Sequence, residues 1–307
     1  MPVDERSLGA GFRVGHWTDE GARTGCTVIL PPPGNVASAD IRGSSPSSRE
    51  LVMLHTNRRL TEIHALLFTG GSAFGLAAAD GVVGWLAERG IGYQTGVALV
   101  PIVPAAVIFD LANGRADVRP GPTEGRAACD AASETGVPTG GVGAGTGATV
   151  GKWAGRAFGV PGGLGIGHAA AKGLEVSALA VVNSVGDVLG TDGSILAGTR
   201  APDPQLFPEA PPLPDEGAPG NTVLCAVTTR AGVEKRDARW LAARGADGVT
   251  VSIRPAHTRY DGDVAIAIVA PPEEGSPPGD LDVLGALATE AVATAVRNAV
   301  VSVTPPA

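Results

Sequence analysis

Residues 220–229 read GNTVLCAVTT, and they follow a stretch, 199–220, that holds seven prolines and few side chains able to build a core. A segment of that composition reads as a surface linker or mobile tail, because it buries too little apolar area to offset its ordering entropy. From Thr222 the pattern is alternating and β-branched, which is the signature of a strand buried in a sheet. Asn221 and Thr222 therefore stand where backbone exposure is expected to change within one or two residues.

Working outward, residues 12–17 and 25–30 have strand patterns, and the PPPGN that follows at 31–35 cannot continue a ladder. A helix is predicted to begin at Ser72, as N-cap, and to run through the alanine-rich 73–89 before Gly90. Residues 100–111 read as a buried strand with Pro101 and Pro104 at its start or on an edge, and 123–135 as a helix closing at Gly136. From 140 to 167 glycine is so dense that the backbone itself must pack or approach a ligand. Residues 174–182 form a buried strand pattern, 183–186 a turn, and 187–189 the return of a hairpin. A polar helix at 235–244, an apolar strand at 264–269 and a helix at 280–300 complete a mixed α/β order with no internal repeat.

The chain has 307 residues, enough for one large domain or two ordinary ones and for burial of roughly three quarters of its unfolded surface. Its 44% hydrophobic and 18% charged residues are those of a compact protein, and 45 glycines with 25 prolines imply many tight turns. A net charge of -8 without a Lys/Arg cluster argues against a nucleic-acid partner. Cys26, Cys129 and Cys225 show neither CxxC nor Cys/His spacing, so buried reduced thiols are expected. The acidic N-terminus lacks the pattern of a signal peptide, and no apolar run approaches the ~20 residues of a membrane span. A cytoplasmic location without a membrane partner is the corresponding expectation.

Several motifs invite sharper readings. GVGAGTGATVGKW, at 141–153, resembles a phosphate loop, but Thr146 stands where that loop needs glycine and Trp153 where it needs Ser or Thr. Gly143, Gly145 and Ala148 fit a dinucleotide fingerprint loosely, with no acidic ribose-binding residue at the right distance. GGSAFG, at 70–75, fails as a nucleophile elbow because Phe74 replaces the second glycine, which leaves Ser72 as a helix cap. His16, His55, His64, His168 and His257 make no metal-binding spacing, and each alone reads as an ordinary packed or surface histidine. HTRYDGD, at 257–263, is sharper: residues two apart on a strand share a face, so Asp261 and Asp263 can converge while Gly262 lets the backbone bend. Alone, it reads rather as a solvated turn, since DGD is a common turn sequence.

Taken together, GNTVLCAVTT, HTRYDGD, the glycine run ending in Lys152, and VVNSVGD at 181–187 resemble the L-aminopeptidase/D-esterase family, which includes β-aminopeptidases and nylon-oligomer endohydrolases. RVGHWTD at 13–19, TGCTVIL at 24–30, FTGGSAFGLAAADGV at 68–82 and GDVAIAI at 262–268 extend the likeness over nearly the whole chain. The resemblance implies a four-layer αββα sandwich made as one precursor, cut here between Asn221 and Thr222 into chains 1–221 and 222–307. It implies Thr222 as nucleophile, with Lys152, Asn183, Asp261 and Asp263 as its partners. Other branches of the family carry a different triplet in place of DGD.

A threonine hydroxyl needs a base, and the α-amine freed by cleavage, with a reference pKa of about 7.7–8.0, supplies one. In this scheme Lys152, as an ammonium, lowers that value further, Asp261 and Asp263 hold the hydroxyl or amine, and Asn183 donates its amide to the oxyanion. No metal or organic cofactor is required. The expected partners are a small peptide, amide or ester substrate and further copies of the cleaved unit, as a tetramer. An ornithine-acetyltransferase-like acyl transferase and an uncleaved non-catalytic homologue are the alternatives.

Overall fold

A computed structural model describes residues 6–202, 220–275 and 279–303. Most of the expected linker, residues 203–219, lies outside the described residues. Ten strands make two five-stranded sheets. In chain order they are β1 (Arg13–Asp19), β2 (Thr24–Leu30), β3 (Val36–Ile41), β4 (Ser48–Arg49), β5 (Leu66–Thr69), β6 (Ala105–Val107), β7 (Gly163–Ala171), β8 (Leu174–Asn183), β9 (Thr222–Arg230) and β10 (Val264–Ala270). The helices are α1 (Ala78–Glu88), α2 (Pro122–Asp130), α3 (Lys235–Ser252) and α4 (Leu281–Val301).

The first sheet runs β1-β2-β5-β6-β4 and the second β7-β8-β9-β10-β3. Each is antiparallel except for one parallel pair, β5 with β6 and β9 with β10. Parallel neighbours need a crossover, and α1 and α3 supply the two.

Alternation along β9 explains the layering. Val223, Cys225 and Val227 face Leu241 and Val249 of α3 and Leu287 and Val292 of α4. Leu224 and Ala226 face the other way, into a core shared with Ile29, Leu66 and Phe68 of the first sheet. On that sheet's far side, Val28 and Leu67 pack with Ala78, Val82 and Leu86 of α1 and Ala128 of α2. The order is thus helix, sheet, sheet, helix, the expected αββα sandwich, and the middle of β9, Val223–Val227, is continuously apolar because both of its faces are covered. α4 is long and apolar enough to cross a membrane by length and composition, but Leu284, Ala288, Ala291 and Val292 on it are buried in this core.

The glycine run is explained by packing. On β7, a Cβ added at Gly165 would lie 2.1 Å from the Ala295 carbonyl oxygen, and at Gly167 2.3 Å from that of Ala291, so only glycine lets α4 lie this close to the sheet.

Several local expectations are corrected. Ser72 is not a helix cap: it has a left-handed φ of 53° and opens a 3-10 turn, Ser72–Ala77, and α1 starts only at Ala78. Of residues 100–111 only the three of β6 enter the first sheet, Val100 instead ending a two-residue strand, Leu99–Val100, paired with Tyr93–Gln94, since Pro101 and Pro104 interrupt the ladder. α2 ends at Asp130 rather than 135, and α3 continues well past 244 to Ser252. Asn183 belongs to the end of β8 rather than to a turn, and Asp187–Leu189 pairs with Ile195–Ala197 and Ile253–Arg254, not back on β8.

Candidate active site

Three strand ends meet at one end of the second sheet. Asn183, the last residue of β8, is paired in register with Thr222, the first of β9. On the other side of β9 the parallel strand β10 begins at Val264, level with Leu224, so the DGD triplet just ahead of it lies beside Asn221 and Thr222. Asn221 and Asp261 form a short parallel bridge there. Lys152, Asn183, Asn221, Thr222, Asp261 and Asp263 are all buried. The residues expected from sequence are therefore brought together, from four separate stretches of chain.

The DGD turn is held from behind by backbone. The N–H groups of Arg42 and Gly43 donate to the Asp263 carbonyl at 3.1 Å, and that of Ser45 to the Asp261 carbonyl at 3.2 Å. A Cβ on Gly43 would fall 2.1 Å from the Asp263 nitrogen, so this clamp needs glycine.

At the junction, Thr222 Oγ1 lies 2.5 Å from the Asn221 carbonyl oxygen. That same oxygen accepts the Gly262 N–H at 2.8 Å. Asp263 Oδ1 accepts the Val223 N–H at 2.6 Å, and its Oδ2 lies 2.7 Å from His257 Nδ1. Asp261 Oδ2 accepts both the N–H and the hydroxyl of Thr258, each at 2.7 Å, whereas Oδ1 is buried without a hydrogen-bond partner. In the uncut chain the Thr222 hydroxyl donates to the Asn221 carbonyl rather than to either carboxylate. Asp263 instead fixes the backbone one residue along.

Lys152 Nζ donates to the Asn183 carbonyl at 3.1 Å and to its Oδ1 at 2.8 Å. With Oδ1 thus engaged, and also accepting the Thr149 N–H at 3.0 Å, the amide orientation is set. Asn183 Nδ2 points to the carbonyls of Gly220, 3.2 Å, and Phe109, 3.4 Å. The donor on the Asn221 carbonyl is therefore Gly262 rather than Asn183.

Electrostatics follow from burial. Desolvation, with the charge of Arg156 nearby, holds the Lys152 amine well below its usual range, against the opposing pull of Asp261. This downward shift works against the ammonium form expected from sequence. Burial, with the charge of Asp263, pushes Asp261 up to about 6, while the Thr258 hydrogen bonds and Lys152 act the other way. Burial lowers the His257 pKa, but the Asp263 hydrogen bond and charge and the Ala246 carbonyl outweigh it, so the net shift is upward.

His257 escaped the sequence reading. Its Nε2 faces the Ala246 carbonyl at 3.1 Å while Nδ1 faces Asp263, so both nitrogens meet acceptors, as an imidazolium requires. The available signal was its place six residues ahead of Asp263 in the same motif. The Gly262 N–H was also missed, because side-chain pattern says nothing of where a backbone donor points. All three cysteines are buried with free thiols.

The αββα sandwich thus gathers a buried lysine, asparagine and two aspartates around the first residue of a central strand, the kind of polar, water-excluded cluster that hydrolases use. The chain belongs to peptidase family S58, which matches residues 10–305 and makes it a peptidase-type hydrolase. It is 38% identical to an uncharacterized aminopeptidase of Mycobacterium tuberculosis, over 96% of this chain and 93% of the relative. It is 31% identical to a 6-aminohexanoate-oligomer endohydrolase of Kocuria sp., over 94% of this chain and 84% of that one. Among solved structures, a Burkholderia sp. β-aminopeptidase superposes with a TM-score of 0.74 at 21% identity, covering 100% of this chain and 89% of its own. The L-aminopeptidase D-Ala-esterase/amidase of Ochrobactrum anthropi, described as a variant of the Ntn hydrolase fold, gives 0.73 at 20% identity over 98% and 87%.

Proposed function

We propose that this chain is a self-processing amidohydrolase that cuts its own Asn221–Thr222 bond and then uses Thr222 to hydrolyse the amide bonds of small substrates. The observation carrying this reading is the contact at the junction: a buried hydroxyl 2.5 Å from the carbonyl oxygen of the preceding peptide, whose oxygen already accepts a backbone N–H. In maturation, Thr222 Oγ attacks the Asn221 carbonyl carbon. The Gly262 N–H stabilises the oxyanion, a contribution of the order of 3 kcal/mol for such donors. Asp261 Oδ1, buried and without a hydrogen-bond partner among the described residues, takes the hydroxyl proton and returns it to the Thr222 nitrogen as the C–N bond breaks. The amide thereby becomes an ester with a free amine, and water cleaves the ester.

The mature residue then carries its own base. The freed α-amine, with a reference pKa of about 7.7–8.0, is partly a free base near neutrality. The amine accepts the hydroxyl proton as Oγ attacks a substrate carbonyl, and returns it to the leaving amine. Asp263, through the Val223 N–H and His257, keeps the strand start in place. The relatives' names, aminopeptidase and 6-aminohexanoate-oligomer endohydrolase, favour unprotected aminoacyl amides and short oligoamides as substrates. Assembly of cleaved units into a tetramer belongs to the same reading.

Thr222→Ala is expected to give one full-length, inactive chain where the wild type gives two pieces on a denaturing gel. Two pieces from the variant, or an active wild type whose intact mass shows no break, would sink the proposal. A panel of aminoacyl amides, β-peptides and 6-aminohexanoate oligomers ranks the substrates.

A further inference from the structure

The turn that follows Lys152 carries a second cation. Arg156, on the 3-10 turn Arg156–Phe158, has its Nη1 buried with no hydrogen-bond partner among the described residues. Its guanidinium lies over the Phe109 ring, 5.4 Å from the centroid. Burial lowers its pKa. A cation taken partly out of water with a donor left open is destabilising, and a bound anion is one of the standard reasons such a group persists.

The position of Arg156 gives that anion an address. Phe109, beneath the guanidinium, also abuts Gly220: a Cβ there would fall 2.2 Å from Phe109 Cβ. Asn183 Nδ2 spans the carbonyls of the same two residues. Gly220 and Asn221 lie on the acyl side of the bond to Thr222, so in the uncut chain they occupy the ground that the acyl part of a substrate takes later. The charge of Arg156 is also felt at Lys152.

We propose that Arg156 is a specificity residue of the acyl subsite, selecting amides whose acyl group carries a carboxylate. Its planar guanidinium matches a carboxylate by two parallel hydrogen bonds, which a lysine does not reproduce. This rests on Thr222 as nucleophile, since that reading defines the acyl side.

Glutamyl and glutaminyl p-nitroanilides differ only in the charged end of the acyl side chain, and the mature enzyme tests both. The wild type is expected to favour the glutamyl compound about tenfold or more in kcat/KM, the scale of one charge-assisted contact. Arg156→Gln is expected to bring the ratio near one, and Arg156→Lys to fall between. A wild-type ratio of one or less, or the same ratio in Arg156→Gln, overturns the assignment. Calorimetric titration with glutarate reads the contact without turnover. Affinity at least tenfold weaker in Arg156→Gln supports it, and equal affinities, or no binding to either protein, overturn it. If residues 221 and 222 stay joined and no amide is hydrolysed, the parent reading fails; if the chain is cut and hydrolyses amides but shows neither the glutamyl preference nor glutarate binding, the Arg156 assignment alone fails.

Discussion

Gly262 stands between two aspartates with almost no room around it: an added Cβ would lie 3.0 Å from Thr222 Oγ1 and 2.8 Å from the Ser45 carbonyl oxygen. Gly262→Ala is therefore expected to push the turn away from Asn221 and misalign the N–H that the carbonyl accepts, slowing self-cleavage on the order of 10- to 100-fold. A time course of the full-length band measures this, and wild-type conversion would remove Gly262 from the oxyanion role. Asp261 makes a prediction of opposite sign for stability. Its carboxyl is pushed up to about 6 in the fold, against about 3.9 in an unfolded chain. The folded state thus holds the proton more tightly, and stability falls as pH rises from about 4 to about 6 and stays lower above. In a Thr222→Ala background, Asp261→Asn is expected to raise stability at pH 7 by on the order of 1–2 kcal/mol, with little gain at pH 4. Urea midpoints at the two pH values check it, and an equal gain at both would show that titration is not the cause. At this scale the sequence was informative about residue types and weak about contacts. HTRYDGD named Asp261 and Asp263, but which atom each carboxylate holds depends on how 42–45 clamp the turn, and that is a long-range backbone fact.

The glycine run shows how the same limit works for elements. Density of glycine between 140 and 167 marked close backbone approach, and on β7 that approach is to α4, more than a hundred residues away in sequence. Gly165→Ala is expected to destabilise the protein by about 2–3 kcal/mol, because its Cβ meets the rigid Ala295 carbonyl of a helix that cannot retreat without opening the core. Chemical denaturation measures the loss, and a change below ~0.5 kcal/mol would mean that α4 slides freely on the sheet. Long periodic elements such as β9, β10 and α4 were legible because burial on both faces of a strand, or on one stripe of a helix, dominates local preference. Ser72 was not, because a capping side chain looks the same in sequence as a residue forced to positive φ; here Gly71, also left-handed at φ 80°, and Ser72 turn the chain into the 3-10 segment instead.

For the whole molecule, the decisive fact is where the proposed cut falls in the second sheet. Residues before it supply β3, β7 and β8, and residues after it supply β9 and β10 with α3 and α4. β9 is thereby zipped to β8 from Val176↔Thr229 to Asn183↔Thr222, and β10 is zipped to β3 on the far side. The inter-sheet core adds Leu224, Ala226, Ile266 and Ile268 from one piece against Ile29, Leu66 and Phe68 from the other. Each such side chain, fully buried, contributes roughly 1.5–3 kcal/mol relative to exposure, so parting the pieces would expose a core no small fluctuation can replace. Cleavage is accordingly expected to leave one particle: both pieces should elute in a single peak under native conditions, and part only in denaturant. A piece eluting alone in native buffer after the cut would mean that the two sheets do not share the core through which Thr222 is held against Asp263, and the site could not survive its own maturation.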